Sequence, residues 1–197
     1  MPPAGLPGGT QAVAAISDTD GPEPRPYTYD LKPDDRQAYM KKVAEMATAA
    51  VTKFEKSRDP QFSACPLEDT SMRSFDPDYS NEPDLVFNAH CNISAAAATR
   101  GRHAAAASPR EKRGEAWVTV VARVDLYGEP RQLFASVTDT KHLDEVPRLE
   151  LIDAVDADGD GRGELLFREF TNTGKAFIVY RVGADKLYPL FEGASGQ

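Results

Sequence analysis

Apolar residues recur at spacings of three and four between positions 33 and 57, where Tyr39, Val43, Met46, Ala47, Ala50 and Phe54 make one stripe. Lys41, Lys42, Glu45, Lys53 and Glu55 fall off that stripe. Pro33 suits a first helical position, and Asp34 and Asp35 complement the positive end of the helix. The pattern predicts an amphipathic helix over 33–57, stopped at Ser57-Arg58-Asp59-Pro60 because proline disfavours helical geometry in its predecessor. Residues 60–83, with several Pro, Asp and Ser, read as irregular. The period then changes to two. Leu85, Phe87, Ala89, Cys91 and Ile93 alternate with Val86, Asn88, His90, Asn92 and Ser94, the signature of a half-buried strand. His90 and Cys91 therefore point to opposite faces and cannot form a nucleophile–base pair, and Cys91 faces the core. Further strands are predicted over 117–126, 133–138, 148–155, 165–171, 176–182 and 187–191, joined by short turns such as Tyr127-Gly128-Glu129-Pro130 and Asn172-Thr173-Gly174. Consecutive strands with tight turns imply antiparallel pairing. The expected class is α+β: one N-terminal amphipathic helix packed on an antiparallel β-meander of about six to seven strands.

Composition changes this picture mainly at the edges. Residues 1–26 are rich in Pro and Gly and read as a flexible arm, leaving 27–197 as a single α+β domain. Residues 95–114 are Ala-rich and then basic, with Arg100, Arg102, His103, Arg110, Lys112 and Arg113, and read as a mobile loop between strands; the competing reading is a patch for an anionic partner. A net charge of −8 argues against nucleic-acid binding. No run reaches the eighteen or more apolar residues of a membrane helix. Met1-Pro2-Pro3-Ala4-Gly5 lacks the basic and apolar regions of a secretory signal as it stands, and the chain reads equally well as part of a longer exported or anchored protein. Cys65 and Cys91 are disulfide candidates whose bridge would close a loop of about 26 residues, contributing roughly 3 kcal/mol; two free thiols are the alternative.

The chemistry concentrates in Asp156-Ala157-Asp158-Gly159-Asp160-Gly161-Arg162-Gly163-Glu164, four acids in nine positions between two predicted strands. Carboxylates about 4 Å apart repel by roughly 4 kcal/mol at an effective dielectric near 20, and a hairpin needs only an Asp-Gly pair. A hard cation supplies one reason; the competing reading is a solvated acidic hairpin without a metal. Ca²⁺ takes six to eight oxygens, and Asp156, Asp158, Asp160 and Glu164, with the carbonyl of Arg162, form a candidate set; Mg²⁺ suits it less because it prefers to keep several waters. The stretch resembles the Asp-x-Asp-x-Asp-Gly-x-x-Asp/Glu calcium loops between strands of integrin-type and FG-GAP (VCBS-like) repeats. It departs from the helix–loop–helix calcium hand, whose twelfth place, Phe167 here, is a bidentate Glu. The loop is read as occurring once, without a 20–50-residue repeat. Ala122–Phe167 also resembles the C-terminal part of uncharacterised bacterial proteins, which implies an envelope, periplasmic location and no assigned reaction.

Catalytic patterns are scarce. The chain has three histidines, His90, His103 and His142, and no nucleophile elbow, zinc-binding helix or phosphate loop. A Zn²⁺ site from Cys65, Cys91 and a histidine lacks supporting spacing. Asp153 and Glu169 are the acid/base candidates, each more simply placed on a solvated face or beside the acidic loop. The expectation is a non-catalytic interaction or scaffold domain of the bacterial cell envelope, stabilised by Ca²⁺, with an unknown protein or envelope partner. Two alternatives remain: a hydrolase acting on a cell-surface polymer through acidic residues, and a small-ligand module using the sheet face where Trp117 and His90 emerge.

Overall fold

A computed structural model describes residues 26–60, 62, 65–94 and 112–193. The arm read over 1–26 and the basic loop read over 95–114 lie mostly outside the described residues. The elements run α1 (Pro33–Lys56), β1 (Glu68–Phe75), β2 (Asp84–Ser94), β3 (Lys112–Val124), β4 (Pro130–Asp139), β5 (Arg148–Val155), β6 (Glu164–Phe170), β7 (Lys175–Val182) and β8 (Leu187–Glu192).

The class is α+β with the helix on a sheet, and the meander is corrected. Among the described residues, eight strands form two four-stranded antiparallel sheets, ordered β1-β2-β3-β4 and β5-β6-β7-β8. The added strand is β1, from the stretch read as irregular. The meander divides because the first sheet is apolar on both faces. Leu85, Phe87, Ala89 and Cys91, with Val118, Val120 and Ala122, pack toward Val43, Ala47 and Val51 of α1. Val86, Val121 and Phe75 on the other face pack against Leu149, Leu165, Phe167 and Ile178 of the second sheet. A sheet with two apolar faces requires a layer on each side. The result is helix, sheet, sheet.

The helix begins at Pro33, carries Asp34 and Asp35 in its first turn and Lys53 and Lys56 in its last, and buries Val43, Ala47, Val51 and Glu55. Glu55 departs from the expectation that it lies off the buried stripe. It falls on the same i, i+4 line as Val43, Ala47 and Val51, so the geometry that buries those residues buries the carboxyl too. A disulfide joins Cys65 to Cys91 of β2, with Cα atoms 5.8 Å apart, and fastens the segment after the helix to the first sheet.

Candidate metal centre

The acidic stretch connects β5 to β6. Gly159 and Gly161 take φ of 78° and 81°, a conformation that L side chains rarely adopt, and so turn the chain back on itself. The two oxygens of Asp156 accept the N–H groups of Gly159 (2.7 Å) and Gly161 (2.9 Å). Asp160 accepts the N–H of Arg162 at 2.9 Å. Glu164, the first residue of β6, is fully buried, and its Oε2 accepts the N–H of Ala157 at 2.9 Å. One oxygen each from Asp156, Asp158 and Glu164 lies within 4.8 Å of the others. A cation about 2.4 Å from each oxygen spans that separation, within the Ca²⁺ range. The loop thus brings three of the expected acids together. Asp160 joins them through a residue the sequence reading did not single out, and the Arg162 side chain is exposed.

That residue is Arg181 on β7, whose Cα pairs with that of Glu164. Its Nη2 donates to Asp158 Oδ2 (2.6 Å), Asp160 Oδ2 (3.0 Å) and Glu164 Oε1 (2.9 Å). These bonds, that to Glu164 foremost, hold the guanidinium more firmly charged than usual. The one signal available in the sequence was an arginine inside an otherwise apolar strand. Four carboxylates against one guanidinium leave three negative charges uncompensated by this contact.

The loop is also tied to the first sheet. The N–H of Gly163 donates to the carbonyl of Pro77 at 2.7 Å, and a Cβ on Gly163 would stand 2.8 Å from the ring of Tyr27. Tyr27 lies against Tyr79 with centroids 5.4 Å apart. Burial, then the charges of Tyr79, Asp156 and Glu164, pushes the Tyr27 hydroxyl up to about 12.

Residues 76–83, between β1 and β2, form a second loop that carries acids, Asp76, Asp78 and Glu82. Tyr79 and Asn81 take φ of 55° and 62°. Asp76 Oδ2 accepts the N–H of Asn81 at 2.9 Å. Asp84 opens β2, is fully buried, and is gripped by Arg123 of β3 through Nε (2.9 Å) and Nη2 (2.8 Å). Asp78 stands 3.5 Å from the same guanidinium. Burial pushes the Asp84 carboxyl up to about 6 despite the arginine, while Asp84 strengthens the charge on Arg123.

The remaining candidates are separate from this corner. Cys65 and Cys91 are joined to each other, so neither offers a thiolate. His90 lies 3.8 Å from Glu68 and 3.7 Å from Asp69 on the face away from Cys91. His142 Nδ1 lies 2.7 Å from Asp139, and its Nε2 faces the Nε of Arg58 at 3.3 Å. Arginine only donates, so Nε2 accepts and Nδ1–H donates to Asp139. His103 falls outside the described residues. Trp117 is half-buried beneath Arg148, 5.5 Å from its ring. Asp153 pairs with Arg73 at 2.7 Å, whereas Glu169 is buried and raised by desolvation and by Glu192. In register Asp153 sits beside Leu166 and Glu169 beside Leu149, so the two acids occupy opposite faces of the sheet. A cleft of about 1150 Å³ between α1, β4 and the second sheet is lined by Met46, Ala50, Phe54, Phe134, Tyr180 and Glu169 among others. Comparison with protein-family models, curated proteins and solved structures finds no match to this chain.

Proposed function

We propose that this chain is a non-catalytic interaction or scaffold domain of an extracytoplasmic compartment, with Asp156–Glu164 as a calcium-strengthened clasp between its two sheets. The observation that carries the reading is the charge count at the clasp. Oxygens of Asp156, Asp158 and Glu164 converge within 4.8 Å, Asp160 adds a fourth carboxylate through Arg181, and that one guanidinium reaches Asp158, Asp160 and Glu164. A divalent ion at that point would offset most of the remaining charge and draw Asp158 and Glu164 oxygens from the arginine. The donors fit Ca²⁺ in type and spread, and the ion would supply structure, with no reaction routed through it.

The non-catalytic part is supported by how the acids are used. Asp156 caps two amides, Glu164 caps one and binds Arg181, and both ring nitrogens of His142 have partners. The extracytoplasmic part is supported by the Cys65–Cys91 bridge, since disulfides persist mainly in oxidising compartments. The test is a pair of thermal melts, in EDTA and in about 1 mM Ca²⁺. A site with Kd near 10⁻⁴ M, in the range of extracellular modules, adds about 1.4 kcal/mol at that concentration, or roughly 3–6 °C for a domain of this size. Superimposable melts would remove calcium from the proposal.

A further inference from the structure

The two acidic loops belong to a wider correspondence. Moving the three β1–β2 pairs beside the loop by 80 gives the β5–β6 pairs beside the other loop: Arg73↔Val86, Ser74↔Leu85 and Phe75↔Asp84 become Asp153↔Leu166, Ala154↔Leu165 and Val155↔Glu164, and the match slips by one residue at Met72↔Phe87 against Leu151↔Phe167, where β5 has an irregularity of its own. The next pair agrees, with an offset of 58 on the third strand. Asp84↔Arg123, Leu85↔Ala122, Val86↔Val121 and Phe87↔Val120 become Glu164↔Arg181, Leu165↔Tyr180, Leu166↔Val179 and Phe167↔Ile178. The last pair is broken by an irregularity at the same point, between Val121 and Ala122 in the first sheet and between Val179 and Tyr180 in the second. Just beyond it, Phe134 faces Val121 as Phe191 faces Val179. Bulges are placed features of a fold, so one recurring at the same register carries weight beyond a shared hydrophobic pattern.

The sense of stacking agrees as well. Leu85 and Phe87 face the helix, and their counterparts Leu165 and Phe167 face the first sheet. The sheets are therefore layered front to back, each in the same orientation. Differences gather at the end away from the loops, where β2 and β3 are 11 and 13 residues long and β6 and β7 are 7 and 8. Length changes far from the fixed corner are the kind a fold tolerates best.

We propose that residues 68–139 and 148–192 are two copies of one four-stranded unit produced by internal duplication. Each copy is closed by the same clasp: an acidic loop, a buried acid opening the second strand and an arginine facing it on the third. Arg123 and Arg181 are then equivalent positioning residues, and the acids of both loops belong to the grammar of the unit. The proposal rests on register and stands whether or not Ca²⁺ binds.

The experiment is a loop graft in the full chain. Residues 76–84 are replaced by the sequence of 156–164, and a control carries the same nine residues with the acids moved from the first, third, fifth and ninth places. Both lose the Tyr27–Tyr79 packing equally. The ordered graft is expected to keep a single cooperative urea transition, with the scrambled graft's midpoint lower by more than about 1 M or its transition lost. Arg123→Met is then expected to lower the midpoint of the ordered graft as much as that of the parent. Equal behaviour of the two grafts, failure of the ordered graft to fold, or an ordered graft indifferent to Arg123→Met would each overturn the duplication.

Discussion

Glu55 and Asp84 are buried acids with opposite surroundings, and the contrast sets two expectations. Glu55 is raised by desolvation and then by Asp139, and its Oε1 has no hydrogen-bond partner among the described residues. A carboxyl raised in the folded state contributes stability below its unfolded pKa and loses it as pH rises through the folded value. At neutral pH the Glu55 carboxyl is therefore a burden, and Glu55→Gln should raise the melting temperature at pH 7 with the gain shrinking toward pH 4. Asp84 is raised to about 6 by burial, with Arg123 opposing and Asp78 and Asp76 adding to the rise. Its proton-linked stability is full below about pH 4 and disappears as pH passes 6. Urea unfolding from pH 4 to 7 should show that falling contribution, and Asp84→Asn should flatten it while lowering stability overall by leaving Arg123 only the more distant Asp78. An unchanged slope would place the titration elsewhere. The sequence indicates a polar first place on each strand; that the place is buried depends on a loop folding over it.

Among the elements, the helix and seven of the eight strands are legible because their apolar residues hold a clear period. β1 was hidden for a physical reason. Its side chains are mostly exposed, only Met72, Ser74 and Phe75 are buried, Asp69 takes φ of 47°, and the register shifts between Glu68 and Ser71. An edge strand interrupted in this way shows little alternation. The 76–84 loop escaped notice because Pro77 and Pro83 suggested irregularity and Asn81 stands where the other loop has Gly161, although asparagine is among the few residues that enter the left-handed region readily. Arg181 could not be assigned from sequence, since only register across the β6–β7 hairpin sets it opposite Glu164. The disulfide gives this scale its prediction. Cys65 and Cys91 are 26 residues apart, so reduction should cost about 3 kcal/mol in the chain-entropy account. Urea midpoints with and without reductant measure it, and equal midpoints would show that the bridge adds no stability.

At the scale of the molecule, the expected meander became two stacked sheets. The apolar residues Val86 and Val121, on the supposedly outer face, were the available sign. Stacking makes positions within the second sheet unequal in energy. Phe167 is fully buried between the sheets, whereas Phe191, the counterpart of Phe134, is 58% exposed on the outermost strand. Phe167→Ala should cost about 3–5 kcal/mol and Phe191→Ala well under half of that, measured by chemical denaturation. Similar losses would contradict this layering. The clasp joins the layers at their acidic corner, through Gly163 to Pro77 and Tyr27. Calorimetric titration of Ca²⁺ into metal-free protein tests the proposed site at Asp156–Glu164. The expected result is saturable binding near one ion per chain with Kd around 10⁻⁴ M, abolished by Asp158→Ala in a variant that still unfolds cooperatively. No saturable heat, or binding that Asp158→Ala leaves intact, would contradict it.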